Sequence, residues 1–245
     1  MDKQELSLTI TEDGSSTLYN HSKQEHYHSI HGAVQESVHV FINAGLQHML
    51  KSRQKLSILE IGFGTGLNAL LTLDFVLTFN SQADSSVSFK TTTLSSESNI
   101  AELEYTGVEP LTIDSDLVQK LDYTNYLHNG LLEESFMKMH LLASGESILV
   151  NQVFQFRKLI TKFQDNKFEG NKFDLVYFDA FSPVVEPDLW TLGVFKSLYE
   201  IMNPGGVIVT YCSKGAVRRT MQECGFKTER LPGPPGKHEM LRATK

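Results

Sequence analysis

The stretch that decides the fold is Lys55–Asn68, KLSILEIGFGTGLN. An apolar run, Ile58-Leu59-Glu60-Ile61, feeds directly into Gly62-Phe63-Gly64-Thr65-Gly66, and an apolar helical pattern then runs from Leu67 to Phe79. A buried strand, a tight glycine turn and a helix N-terminus in that order make a nucleotide-binding corner. Glycines turn with positive φ and let the backbone approach a ligand. Free N–H groups at the helix start attract an anionic group. The G-x-G-x-G spacing after Glu60 leans toward S-adenosylmethionine rather than toward a dinucleotide, whose turn reads G-x-G-x-x-G.

The rest of the chain suits one α/β domain. It has 245 residues, 40% hydrophobic and 21% charged, enough for a large core. No apolar run reaches the length of a membrane span. The start, MDKQELSLTI, is too polar for a signal peptide. Cys212 and Cys224 are the only cysteines, which points to a reduced, cytoplasmic protein without a disulfide framework.

Periodicity lays out the elements around the glycine corner. Residues 1–50 are expected to form an N-terminal extension packing on the core. It begins with a turn at Asp13-Gly14 and continues as an amphipathic helix over 32–50, with Val34, Val38, Phe41, Ile42, Leu46 and Met49 on one face. Residues 51–245 form the main domain. Strand one spans 56–61 and its helix 66–80; residues 81–98, with ten Ser/Thr, read as a flexible surface insertion. Strand two spans 103–109 and stops at Pro110, and Asp114 caps a helix over 115–127. A helix plus loop is expected over 128–147, strand three over 148–154 and a helix over 156–165. Strand four, Phe173–Asp179, is almost wholly apolar, as a central parallel strand should be. A helix from 187 to 202, strand five over 207–212 and a helix over 214–224 follow. The turn Pro232–Gly236 then joins two strands into an antiparallel terminal hairpin on the sheet edge. The pattern is a doubly wound, Rossmann-like sheet, whose ligand sits at the carboxyl ends of the strands.

Two acids end strands there. Glu109 is placed to accept hydrogen bonds from a ribose diol, although it follows Gly66 by 43 positions; the Ser/Thr insertion accounts for the excess. Asp179 has two readings: a cleft acid that partners an amine or cationic ligand, or an Asx cap bonding backbone N–H groups. Net charge is −7, which argues against a general nucleic-acid binder, yet residues 205–245 carry +5. That asymmetry fits either a phosphate-facing surface or a solvated mixed one. His26-x-His28-x-x-His31 has no cysteine or clustered acid to complete a metal site, so no metal is expected.

At Asp179–Trp190, D-A-F-S-P-V-V-E-P-D-L-W, the chain closely resembles the signature of the MnmC-like tRNA methyltransferases. Four further segments match that family in order and spacing. They are Tyr27–Ser29 with Gln35-Glu36 and Val40-Phe41; Glu60–Asn68; Pro204–Tyr211 with Gly215, Val217, Arg218 and Arg219; and Gly225-Phe226 with Pro232-Gly233, Gly236-Lys237 and Glu239-Met240. The resemblance spans about residues 26–245 and is thin over 80–103 and 128–170.

The resemblance implies a class I S-adenosylmethionine-dependent methyltransferase that completes a 5-methylaminomethyl-2-thiouridine at the tRNA wobble position. Glu60, Gly62, Gly64 and Gly66, with Asn68, would bind the methionine and ribose end, and Glu109 the ribose hydroxyls. Asp179 matches the active-site aspartate beside the methyl donor. Tyr27, His28, Phe181, Pro183 and Trp190 would shape the substrate pocket; for Trp190 a core position is an equal reading. Lys214, Arg218, Arg219 and Lys237 would meet anticodon-stem phosphates. The family's adenine-contacting acid aligns with Gln155, whose amide can both accept and donate. The chain lacks a second glycine-rich fingerprint, so a stand-alone methyltransferase without an FAD domain is expected, with a monomer favoured. Three alternatives remain at this level: an aminopropyltransferase resembling spermidine synthase, a small-molecule or protein methyltransferase, and a non-catalytic tRNA-binding module.

Overall fold

The computed structural model describes residues 5–84, 100–129, 132–168, 170 and 172–245. The glycine corner is built as its sequence dictates. Strand β4 (Lys55–Ile61) runs into the turn, and a long helix (Leu67–Asp84) leaves it. Gly62 has φ +91°, and a Cβ there would lie 2.4 Å from the Asp179 carbonyl oxygen. Only glycine allows the two strand ends to close to that distance.

Ahead of β4 stand β1 (Leu6–Ile10), β2 (Ser16–Asn20) and β3 (Glu25–His26), a separate antiparallel sheet. After it come β5 (Glu102–Val108), β6 (Ser147–Leu149), β7 (Phe154–Leu159), β8 (Phe173–Phe178), β9 (Met202–Thr210), β10 (Lys227–Pro232) and β11 (Glu239–Thr244). The main sheet has the order β10-β11-β9-β8-β4-β5-β7-β6. Its centre, β9 to β7, is parallel, and antiparallel strands close both edges. Every residue of β8 is buried, as a strand covered on both faces requires.

Helices cover the two faces. One carries a continuous helical run: α1 (Ala33–Ser37), a π-helical stretch (Val38–Leu46) and α2 (Gln47–Leu50), with α3 (Leu67–Asp84) beside it. Phe41, Leu46, Leu70, Tyr105, Phe156 and Tyr177 form the core there. Against the other face pack α6 (Leu192–Ile201) and α7 (Gly215–Glu223), through Phe195, Leu198, Val217 and Met221 onto Ile61, Phe178 and Ile208. The doubly wound sheet and terminal hairpin expected from the sequence are both present. Between α3 and β6 lie α4 (Ser115–Val118) and α5 (Glu133–Leu141).

Several boundaries differ from expectation. The helix after the glycine corner extends through Asp84, so 81–84 of the supposed insertion are helical; residues 85–98 lie outside the described residues. The helix expected over 115–127 is only the single turn of α4, capped by Asp114 as expected, followed by a 3-10 turn at Tyr123–Tyr126. Tyr123 is fully buried and donates to Thr65 Oγ1 at 3.1 Å, which draws the chain inward and ends the helix. The third parallel strand is β7, not 148–154, and the helix expected over 156–165 is absent. Phe154 and Phe156 are buried while Gln155 is exposed, a two-residue period that specifies a strand. Asn151 Oδ1 accepts from the N–H groups of Val153 and Phe154, both at 2.8 Å, and makes the turn that separates β6 from β7. The helix expected over 187–202 is a 3-10 turn at Pro187–Trp190 followed by α6, which Thr191 caps.

Candidate active site

A cavity of about 680 Å³ opens at the carboxyl ends of β4, β5, β7 and β8. That size and position are those of a small-molecule site in a doubly wound sheet. The glycine corner forms its floor through Gly62 and Gly64. Gly66 turns the chain behind it, packed on His140 and Phe63.

Three acids and one amide organise the floor. Asn68, on the first turn of α3, donates through Nδ2 to Glu60 Oε1 at 2.9 Å and to Asp179 Oδ2 at 2.8 Å. Glu60 is fully buried and does not reach the cavity; burial drives its carboxyl well above the ordinary range, so Glu60 acts by fixing Asn68. Asp179 faces the cavity directly. Burial lifts its carboxyl to about 7, the charge of Glu36 pushes the same way, and the Asn68 hydrogen bond and Lys237 pull against them. Glu109 accepts from Gly64 N at 3.1 Å and Leu111 N at 3.3 Å, yet burial still lifts it to about 7.

The N-terminal extension supplies the opposite wall. Tyr27 meets Phe181 edge-on, with ring centroids 5.0 Å apart. His28 bonds Thr17 Oγ1 at 3.0 Å, and burial lowers it to about 4, so it is neutral near pH 7. The turn before β3 latches onto the loop after β8. Lys23 pairs with Glu186 at 2.5 Å, and Glu25 accepts from Ser182 N and Oγ at 3.2 and 2.8 Å.

Other expected site residues fall elsewhere. Gln155 sits at the amino end of β7, exposed, 3.4 Å from Ser147 Oγ, at the far end of the strand from the cavity. The expected alignment misplaced strand three by several residues; Lys162, Phe163 and Gln164 are the residues after β7 that line the cavity. Trp190 is a core residue. It is buried against Phe178, with ring centroids 4.8 Å apart, and donates Nε1–H to the Phe181 carbonyl at 2.8 Å, holding the loop rather than the ligand. Pro183 belongs to that loop but does not line the cavity. Lys214, Arg218 and Arg219 lie at the start of α7, outside the cavity wall. Lys237 is inside it, ion-paired with Glu36 and 4.0 Å from the centroid of the Tyr211 ring. Sequence reasoning gave no site role to Glu36, although it lies in a family-matching segment, and missed Lys23 and Glu25, which no local motif marks. Among the described residues no cluster of three His, Cys, Asp or Glu could hold a metal.

The family model described as S-adenosyl-L-methionine-dependent methyltransferase matches residues 123–245, half of the chain, and the chain belongs to that family. The fold and the glycine-floored cavity are those of this class. The resemblance to MnmC-like proteins also holds across the whole chain. It is 29% identical over 249 residues to a tRNA 5-methylaminomethyl-2-thiouridine biosynthesis bifunctional protein MnmC from Burkholderia thailandensis, covering 96% of this chain and 34% of that protein. The protein of the same name from Cupriavidus necator is 27% identical over 228 residues, covering 89% and 31%. The chain thus spans about a third of the length of these relatives. Among solved structures, MnmC2 from Aquifex aeolicus superposes with a TM-score of 0.74 at 23% identity, covering 99% of this chain and 71% of that one. Spermidine synthase from Thermotoga maritima gives 0.58 at 11%, covering 100% and 69%. Both likenesses concern the fold.

The residues present fit S-adenosylmethionine. A Cβ would fill the backbone cradle at Gly62, Glu109 presents a carboxylate to the cavity, and the buried Asn68 Oδ1 has no hydrogen-bond partner among the described residues. No described helix is long and apolar enough to cross a membrane.

Proposed function

We propose that this methyltransferase N-methylates the primary amine of a 5-aminomethyl-(2-thio)uridine at the wobble position of tRNA. The observation that carries the reading is Asp179, a cavity carboxylate held by Asn68 between the glycine floor and the aromatic wall of Tyr27 and Phe181. An amine acceptor needs a group that holds it in line and takes its proton, and a cavity carboxylate can do both.

Glu109 would accept from the ribose hydroxyls, Gly62 and Gly64 would underlie the methionine end with Asn68, and Phe163 and Gln164 would meet the adenine. S-adenosylmethionine, when bound, supplies a methyl group already activated on a sulfonium. The protein's task is therefore alignment, worth up to about 7–11 kcal/mol. Asp179 orients the amine by a hydrogen bond. A protonated amine has no lone pair, and a carboxyl lifted to about 7 is a better proton acceptor than an ordinary one. Tyr27 and Phe181, in edge contact with each other, line the part of the cavity where a pyrimidine would lie.

Lys214, Arg218 and Arg219 stand outside the cavity, where the anticodon stem of a tRNA held by its loop would pass. An aminopropyltransferase would need a second free carboxylate for its diamine. Glu36 lines the same cavity but is engaged by Lys237 and by Ser29 N, which donates to it at 2.9 Å. Cytoplasmic action on tRNA belongs to this same reading.

Mass spectrometry of nucleosides tests it: total tRNA carrying aminomethyluridine is incubated with the protein and a labelled methyl donor. Label in a methylaminomethyl nucleoside is expected. Label in metabolites or protein, with none in tRNA, refutes the reading.

A further inference from the structure

The Lys237 side chain is unlike the other basic residues of the C-terminal segment. It lies in the turn between β10 and β11, which is locked by Gly233 N donating to His238 O at 3.0 Å and Lys237 N to Pro234 O at 2.9 Å. That turn is docked on the N-terminal extension. Gly236, at φ +82°, lies against the His31 ring with no room for a Cβ, and His39 Nε2 bonds the Pro232 carbonyl at 2.8 Å. Lys237 is thus carried into the cavity on a fixed support. Its ammonium pairs with Glu36, whose side chain is 8% exposed, and rests over the Tyr211 ring; Tyr211 is itself fixed by donating its hydroxyl to the Ala180 carbonyl at 2.9 Å.

This arrangement has an electrostatic consequence. A lone lysine beside Asp179 would repel both a sulfonium and an ammonium. The Glu36 carboxylate cancels most of that field, so Lys237 remains as a hydrogen-bond donor with little net charge. An ammonium has three N–H donors; Glu36 takes one, and the side chain, 32% exposed, faces the cavity with the rest.

We propose that Lys237 contacts the acceptor ring, donating a hydrogen bond to the oxygen on the ring carbon next to the one that bears the aminomethyl arm, while Asp179 takes the amine. On such a ring the two groups are neighbours, so their protein partners must be neighbours too. Lys237 and Asp179 line one cavity and act on each other electrostatically. The assignment rests on the amine-methylating reading above, and it makes Lys237 a ring contact rather than a phosphate contact.

The test uses a stem-loop RNA bearing 5-aminomethyluridine, with wild type, Lys237→Gln and Lys237→Arg assayed over a range of salt. Lys237→Gln is expected to lower kcat/KM about tenfold or more, as loss of a hydrogen bond from a charged donor would. The slope of log KM against log salt should stay at the wild-type value, S-adenosylhomocysteine affinity should stay within about threefold, and Lys237→Arg should recover part of the loss. A salt slope smaller by about one unit would mark a phosphate contact and overturn the assignment. So would an unchanged kcat/KM, or a parallel loss of S-adenosylhomocysteine binding in both variants, which would mark a structural role. A wild-type protein inactive on this RNA would instead refute the amine-methylating reading, and the ring contact with it.

Discussion

Lowering the pH from about 8 to about 6 should weaken cofactor binding about tenfold, through Glu109 alone. Burial lifts this carboxyl to about 7 despite hydrogen bonds from Gly64 N and Leu111 N. To accept from both ribose hydroxyls it must be ionised. One unit above its pKa about nine tenths of the molecules are competent, and one unit below about one eleventh, a cost of about 1.4 kcal/mol. The direction is fixed by the raised pKa: affinity is present above about 7 and lost below it. Calorimetry with S-adenosylhomocysteine, which carries no sulfonium, isolates this group from Asp179. Binding below pH 7 should release a proton, read as a dependence of the heat on buffer ionisation. Glu109→Gln should bind more weakly with a flatter pH profile. A wild-type profile as flat as that of Glu109→Gln, or affinity rising toward acid, would sink the reasoning. The same raised pKa makes the unliganded fold lose stability as pH rises from 4.5 through about 7. His28 and His140, lowered to about 4 by burial, act oppositely and lose stability as pH falls from 6.5 toward 4.

Asp179→Asn should reduce turnover at least about a hundredfold while leaving S-adenosylhomocysteine affinity within a few-fold; an equal loss of both would remove its role at the amine. Asn68→Ala should cost about 1–3 kcal/mol in chemical denaturation, because the Glu60 and Asp179 carboxyls both lose their shared donor. Gly62→Ala should cost about 1–3 kcal/mol from its left-handed backbone alone, and more from a Cβ 2.4 Å from the Asp179 carbonyl oxygen; a variant as stable as wild type contradicts this. Arg218→Glu with Arg219→Glu should weaken tRNA binding and flatten its salt dependence while sparing the cofactor, as measured by filter binding at several salt concentrations.

What the sequence determined by itself is what short-range chemistry dictates. The run from Ile58 through Gly66 into Leu67 admits only a strand, a turn with positive φ and a helix, so local sequence alone places the glycine corner. Phe173–Phe178, apolar at nearly every position, could only be a central strand, which put Asp179 at its carboxyl end. Pro232–Gly236 forced the terminal hairpin. The third parallel strand was misplaced because the short antiparallel β6 lies just before it, across the turn at Asn151, so the single strand expected over 148–154 straddled both. Its Phe154-x-Phe156 alternation is short, and the polar residues that follow suit a helix equally well. Gln155 was misassigned for that reason.

Only the tertiary structure decided who meets whom inside the cavity. Glu36 and Lys237 are 201 positions apart, and neither carries a signal for the other. Their pairing follows from docking the hairpin turn on the N-terminal extension, which places Lys237, expected at the phosphates, in the cavity wall. Trp190 belongs to the core because the folded loop offers its indole N–H the Phe181 carbonyl. The pKa values of Asp179 and Glu109 depend on burial by elements far away in the chain. Local order can be written in a dozen residues. Desolvation and charge pairing are sums over everything the fold brings within a few ångströms, and no segment contains them.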